Sequence, residues 1–324
     1  MKPSLAAIRG RRVLVIGRSG SHRTETSIVR AVRSLGLRAW LLPIDWWGRL
    51  PTSVLRRVVD ALAPDTIVLT RYATDLGTDR LAALKGRRFN VAWFFDAKQA
   101  PDSPIRSLAP YTDHLFVTSP STSPSFRAAG FPSVAFLPQG LDPARDQPVT
   151  QSPAAFACDV SFVGSGSYPH RWPLLERFAR ELTLQIRGPG WQGAPASLPV
   201  AGGRVLGRSF AEVVRGAAVS LGMNAVPLMD QDDIAMSNRI WKVLGCGGVY
   251  LGQWLPRAEV LARQGEHCLW FRDADEALSL AREMMEDPAR RARIAAAGRD
   301  HALAHHTYAH RIPYLLTGAN WGER

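Results

Sequence analysis

Apolar runs of strand length alternate along this chain with segments whose apolar positions recur every three to four residues. That alternation is the sequence form of repeated βαβ units and a parallel sheet. In the first half the runs Arg12 to Gly17, Arg38 to Leu42, Thr66 to Leu69, Val91 to Phe95, His114 to Thr118 and Val134 to Leu137 predict strands. Helical patterns such as Thr26 to Leu35 and Thr52 to Leu62 lie between them, completing a doubly wound domain. Around Leu137-Pro138-Gln139-Gly140-Leu141-Asp142-Pro143, and on to Ser152-Pro153, the periodicity gives way to proline and polar residues, as in an interdomain connector. It then restarts, with strands predicted at Asp159 to Val163, Leu184 to Ile186, Val219 to Met223, Val249 to Leu251 and Cys268 to Phe271. Helices are predicted to begin near Trp172, Phe210, Ser237 and Asp273. The segment from Asp287-Pro288 to Leu316 reads as helical, with Pro288 at a helix start, and is expected to cross back between domains. The expectation is an α/β chain of two facing Rossmann-like domains, residues 1–150 and 151–324, separated by a hinge.

Composition narrows the class. With 324 residues, 46% hydrophobic and 21% charged, the chain has the apolar material of a folded, two-domain protein. No apolar run reaches the roughly 18 to 20 residues of a spanning helix, and Met1 to Arg12 lacks the apolar core of a signal peptide. A cytoplasmic location is the default expectation. Cys158, Cys246 and Cys268 are odd in number and widely spaced, which suggests neither a disulfide framework nor a zinc site. His301, His305, His306 and His310 lack a carboxylate in a HExxH arrangement and read as structural or solvated, so no metal is expected. Net charge is +12, which favours anionic partners, yet arginine is dispersed instead of gathered in one block.

In open parallel sheets ligands settle outside the carboxyl ends of the strands, so the loops there carry the candidate chemistry. The richest segment runs from Ser237-Asn238-Arg239 through Lys242 to Cys246-Gly247-Gly248. A serine at a helix start, backbone N–H groups facing outward and a nearby guanidinium suit a diphosphate, and the glycine pair suits a tight turn or close ligand approach. An ordinary amphipathic helix with a glycine C-cap explains the same residues. After the first strand, Gly17-Arg18-Ser19-Gly20 is a flexible turn suited to a phosphate or a sugar, although its spacing is not GxGxxG. Asp96 follows the fourth strand, where a carboxylate orients or deprotonates an acceptor hydroxyl or else caps a helix. In the second half Gly164 and Ser165 follow a strand and precede His170 and Arg171, a small-residue turn followed by a cation. Gly188 lies in Arg187-Gly188-Pro189-Gly190-Trp191, whose tryptophan is a candidate to lie against a base.

Taken together, the second half resembles the group-1-type glycosyltransferase domain of CgeB-like proteins, within the two-Rossmann GT-B superfold. The residues that carry the resemblance are Asp159-Val160-Ser161-Phe162-Val163-Gly164-Ser165, Ser237-Asn238-Arg239 with Leu244-Gly245-Cys246-Gly247-Gly248, Phe271-Arg272-Asp273-Ala274-Asp275-Glu276, Arg293-Ile294-Ala295-Ala296-Ala297-Gly298 and His306-Thr307-Tyr308-Ala309-His310-Arg311. The resemblance implies a nucleotide-diphosphate sugar held mainly by the C-terminal domain and an acceptor mainly by the N-terminal one. It implies that Ser237 and Arg239 lie against the diphosphate, with Gly164 and Ser165 opposite and Arg171 charging the leaving phosphate, without a metal cofactor. Many relatives carry two glutamates eight positions apart where this chain has Ile234 and Lys242, with Asp232 and Asp233 nearby.

The expected activity is transfer of a sugar from a UDP- or GDP-linked donor to a hydroxyl-bearing acceptor, whether glycan, protein or small molecule. Retention of the anomeric configuration follows from the resemblance, whereas a base role for Asp96 suits inversion. Two alternatives belong to other classes. Lys242 in place of a glutamate fits a binding protein that has lost turnover. The +12 charge and ten tryptophans fit a DNA-binding or DNA-glycosylating protein, although no helix-turn-helix or zinc finger is present.

Overall fold

The structure is a computed structural model that describes residues 3–95, 100–224, 234 and 237–322. It divides into two compact units, one of residues 1–139 with 308–324 and one of residues 140–307. The division falls after Gln139, ahead of the expected boundary at 150. Residues of the connector belong to the second unit because they bond there: Leu141 N donates to the His306 carbonyl, and Gly245 packs against Asp146.

In the first unit the chain runs β1 (Arg12–Gly17), α1 (Thr24–Ser34), β2 (Arg38–Pro43), α2 (Ile44–Trp47), α3 (Thr52–Leu62) and β3 (Thr66–Leu69). It continues through α4 (Thr78–Lys85), β4 (Phe89–Phe94), α5 (Ser103–Arg106), β5 (His114–Val117), α6 (Ser123–Ala128) and β6 (Val134–Phe136). The strands form a parallel sheet in the order β2-β1-β3-β4-β5-β6. Alternate residues of β1 feed opposite faces, Leu14 and Ile16 into one core and Val13 and Val15 into the other. Such two-sided burial is why these strands read as continuous apolar runs.

The second unit runs β7 (Cys158–Val163), α7 (Trp172–Glu181), β8 (Leu184–Arg187), β9 (Val200–Gly202), α8 (Arg208–Gly216) and β10 (Ala217–Gly222). Then follow α9 (Arg239–Gly245), β11 (Tyr250–Gln253), α10 (Ala258–Leu261), β12 (Leu269–Phe271), α11 (Ala274–Glu286) and α12 (Pro288–His305). Its parallel sheet has the order β12-β11-β10-β7-β8-β9. The edge strand β9 is absent from the sequence reading because Val200 and Ala201 are exposed and give no apolar run. A last helix, α13 (Tyr308–Thr317), returns to the first unit, where Ile312, Leu315 and Leu316 pack with Ile28 and Val32 of α1. Arg311 of this helix is 1% exposed and donates from Nε to the Pro138 carbonyl at 3.0 Å. No helix among the described residues is long and apolar enough to cross a membrane.

Each sheet has one place where the chain reverses its direction of growth, and there the loops from neighbouring strands part to leave a crevice. In the first unit it lies between β1 and β3, and in the second between β7 and β10.

Candidate functional site

The crevice of the second unit is built around Phe162, the buried aromatic near the end of β7. Two guanidiniums lie over its ring, Arg239 at 5.0 Å and Arg171 at 5.7 Å from the centroid. Arg171, at the start of α7, is 3% exposed, and its nitrogens are committed to backbone. Nε donates to the Asn224 carbonyl at 3.0 Å, Nη1 to Ser165 at 3.1 Å and Nη2 to Met223 at 3.2 Å. It therefore ties the loop after β7 to the end of β10. Arg239, the first residue of α9, donates from Nη1 to the same Met223 carbonyl at 3.2 Å.

Glycine at 164 is what admits Arg239. A Cβ there would lie 2.6 Å from the Phe162 ring and 2.9 Å from Arg239 Nη2. Gly188 has φ +138°, and a Cβ on it would lie 2.0 Å from the Gly164 carbonyl oxygen, so the two loops touch backbone to backbone. The Trp191 indole donates to that same Gly164 carbonyl at 3.2 Å and packs edge-on against Phe162. At 9% exposed, Trp191 braces the loop; the expected stacking against a base gives way to this core role. Ser165 Oγ accepts from Ser167 N at 3.2 Å and turns the loop.

Electrostatically the crevice is positive. Burial is the main force pulling the Arg171 pKa down to about 10, with the neighbouring charge of Arg239 adding to it. Burial likewise lowers Arg239. Two like charges lie side by side, and no carboxylate among the described residues pairs with either. Tyr250, buried beside them on β11, has its phenol pushed up to about 12 by burial. An anion entering here meets two positive charges that no carboxylate among the described residues compensates.

The helix expected to open at Ser237 starts at Arg239, with Asn238 as the preceding half-turn and no side-chain cap from it. Ser237 Oγ accepts from Arg239 N at 3.4 Å. The helix spans only 239–245, so its macrodipole is short and the positive field comes mainly from the guanidiniums. Gly247 lies at its other end with φ +75°, donating to Leu244, while Gly248 donates to Val243. This is a Schellman turn, and Gly247 serves to end the helix. Lys242 is half-buried, and its charge is felt by Asp146 and Cys246; Ile234 is 1% exposed.

In the first unit, Gly17, Ser19 and Gly20 line the crevice between β1 and β3. A Cβ on Gly17 would meet the Glu25 side chain at 2.5 Å and Thr70 at 2.8 Å, and Ser19 N donates to Asp45 Oδ2 at 3.2 Å. Asp96, Asp232 and Asp233 lie outside the described residues. The structure thus brings Gly164, Ser165, Arg171, Gly188 and Arg239 together. Sequence reading missed Phe162 and the Met223 carbonyl, which is a backbone group without a sequence signature.

Among solved structures the chain is similar to HepE of Anabaena in complex with UDP, at 14% identity and a TM-score of 0.61, covering 95% of this chain and 100% of that one. It is similar to sucrose-phosphate synthase from Thermosynechococcus elongatus, at 11% identity and a TM-score of 0.62, covering 95% and 98%. It is similar also to T4 phage BGT in complex with its UDP-glucose substrate, at 10% identity and a TM-score of 0.60, covering 94% and 97%. No curated protein matches the sequence. Residues 171–317 match the family described as glycosyl transferase-like, and the chain shares the two-domain α/β fold of these solved structures.

Proposed function

We propose that this chain is a metal-independent glycosyltransferase, CgeB-like in its second half, that moves a sugar from a UDP- or GDP-linked donor to a hydroxyl-bearing acceptor. The observation that carries this reading is the pair Arg171 and Arg239 at the β7–β10 crevice, which no carboxylate among the described residues neutralises. Departure of a nucleoside diphosphate leaves negative charge on its phosphate oxygens, and fixed cations already in place stabilise that charge without reorganisation. Arg239 is the donor to the diphosphate, because among the described residues it gives one hydrogen bond to a carbonyl where Arg171 gives three. Arg171 holds the loop and adds its field. Gly164 and Ser165 allow the phosphates to approach backbone. The fold likeness to proteins crystallised with UDP and UDP-glucose, and the glycosyl transferase-like match over 171–317, support the same reading.

Stabilisation by nucleotide is the direct test. A ligand bound only to the folded state at about 100 times its Kd adds about 2.7 kcal/mol and raises the melting midpoint. UDP or GDP is expected to do so for the wild type and to fail for Arg239→Ala; no shift with any nucleoside diphosphate overturns the reading. Retention, assisted by the donor phosphate, is the proposed stereochemistry. Anomeric NMR of the product checks it: an inverted product that disappears in Asp96→Asn would assign Asp96 as the base instead.

A further inference from the structure

The crevice of the first unit carries side chains that the donor reading leaves unused. After β1, Arg18 lies over the Tyr72 ring at 4.4 Å, with Arg23 at 5.8 Å and Arg71 at 6.0 Å from the same centroid. Arg18 also faces two carboxylates, Asp75 at 3.4 Å and Asp45 at 3.8 Å. Its Nε is shielded from water yet makes no hydrogen bond among the described residues. Asp45 opens α2 beside Trp46 and Trp47. Trp47 packs on the core, whereas Trp46 is 74% exposed, the most exposed large apolar side chain among the described residues.

We propose that the loops after β1, β2 and β3 form a saccharide-binding subsite in which Trp46, Asp45, Arg18, Tyr72 and Asp75 hold the acceptor. This rests on the glycosyl-transfer reading for its role as acceptor site. Chemistry selects the ligand class. A nucleic-acid backbone needs cations without counter-charge, and here Asp45 and Asp75 would face its phosphates. An anionic membrane surface meets the same repulsion. Vicinal sugar hydroxyls both donate and accept, so they match a guanidinium flanked by carboxylates. The C–H face of a pyranose matches an indole left in water. Ion pairs this exposed hold their partners weakly, which leaves the same groups available to hydroxyls.

Saturation-transfer NMR with maltose, cellobiose and N,N′-diacetylchitobiose tests the subsite, alongside the UDP and GDP melting shift on the same samples. At least one disaccharide is expected to bind the wild type, to lose about tenfold in affinity in Trp46→Ala and to weaken in Asp45→Asn. The nucleotide shift should be unchanged in both variants. Trp46 and Asp45 are exposed, so their replacement leaves the core intact. An intact nucleotide shift with no disaccharide bound, or binding indifferent to both variants, overturns the subsite while the donor reading stands. Disaccharide binding lost in Trp46→Ala, without any nucleotide shift, keeps the subsite and sinks the transferase reading. Duplex DNA bound at low salt and released by Arg18→Ala overturns the saccharide assignment.

Discussion

Arg171 and Arg239 donate to one carbonyl oxygen, that of Met223, at 3.2 Å each. The two differ in what else they hold. Arg171 bonds two further, half-buried carbonyls, those of Asn224 and Ser165, and its loss removes both bonds, at a net cost of about 0.5–1.5 kcal/mol for each. Arg171→Ala is therefore expected to lower stability measurably in urea melts. Arg239→Ala is expected to leave the urea midpoint nearly unchanged while abolishing stabilisation by nucleoside diphosphate. Equal destabilisation by both variants would contradict this division of labour.

Gly164 and Gly188 offer a second separation. Gly164→Ala pushes a methyl toward the Phe162 ring and Arg239 Nη2. The guanidinium can yield but the fully buried Phe162 ring cannot move without disturbing the core, so donor affinity should fall about tenfold with a stability loss of about 1–2 kcal/mol. Gly188→Ala sets a methyl against the Gly164 backbone at a φ of +138° and should cost at least about 2 kcal/mol. Calorimetric titration with UDP and chemical denaturation of both variants check the two numbers.

Stability should fall on acidification below neutrality. His114 is 6% exposed with Nε2 unpartnered among the described residues, and burial lowers its pKa from 6.5 to about 4. An unfolded chain takes up the proton below pH 6.5 while the folded one resists until pH 4. Stability present above pH 6.5 is thus lost across that window, by about 2–3 kcal/mol for this group. His267 and His301, stacked at 3.9 Å, are shifted the same way by burial. Urea midpoints measured from pH 7.5 to 4.5 should decline, on the order of 1 kcal/mol per pH unit, and His114→Phe should flatten the decline.

Much of the fold was legible because parallel strands buried on both faces write themselves as apolar runs: β1 and β3 occupy the segments expected for them. Helix starts at Trp172 and Pro288 were equally plain, and Asp273, expected to begin a helix, caps α11 by accepting from Glu276 N. What escaped were groups whose role depends on partners distant in sequence. Phe162 looks like any strand residue until two guanidiniums lie over it. The adjacent tryptophans 46 and 47 are identical in sequence terms, and only the packing of Trp47 leaves Trp46 in solvent. Ser237 is the expected helix start; the helix begins two residues later at Arg239, whose backbone N–H donates to Ser237 Oγ at 3.4 Å.

The return of α13 to the first unit fixes an order of events during synthesis. Residues 140–307 emerge from the ribosome before Tyr308–Thr317, so the second unit has its whole sequence available while the first still lacks the helix that covers α1. A fragment of residues 1–307, free of the ribosome, should resist protease over residues 140–307 and be cut within 1–139. Adding residues 308–324 should then protect both. Of these two units, the one begun earlier in translation is completed after the other.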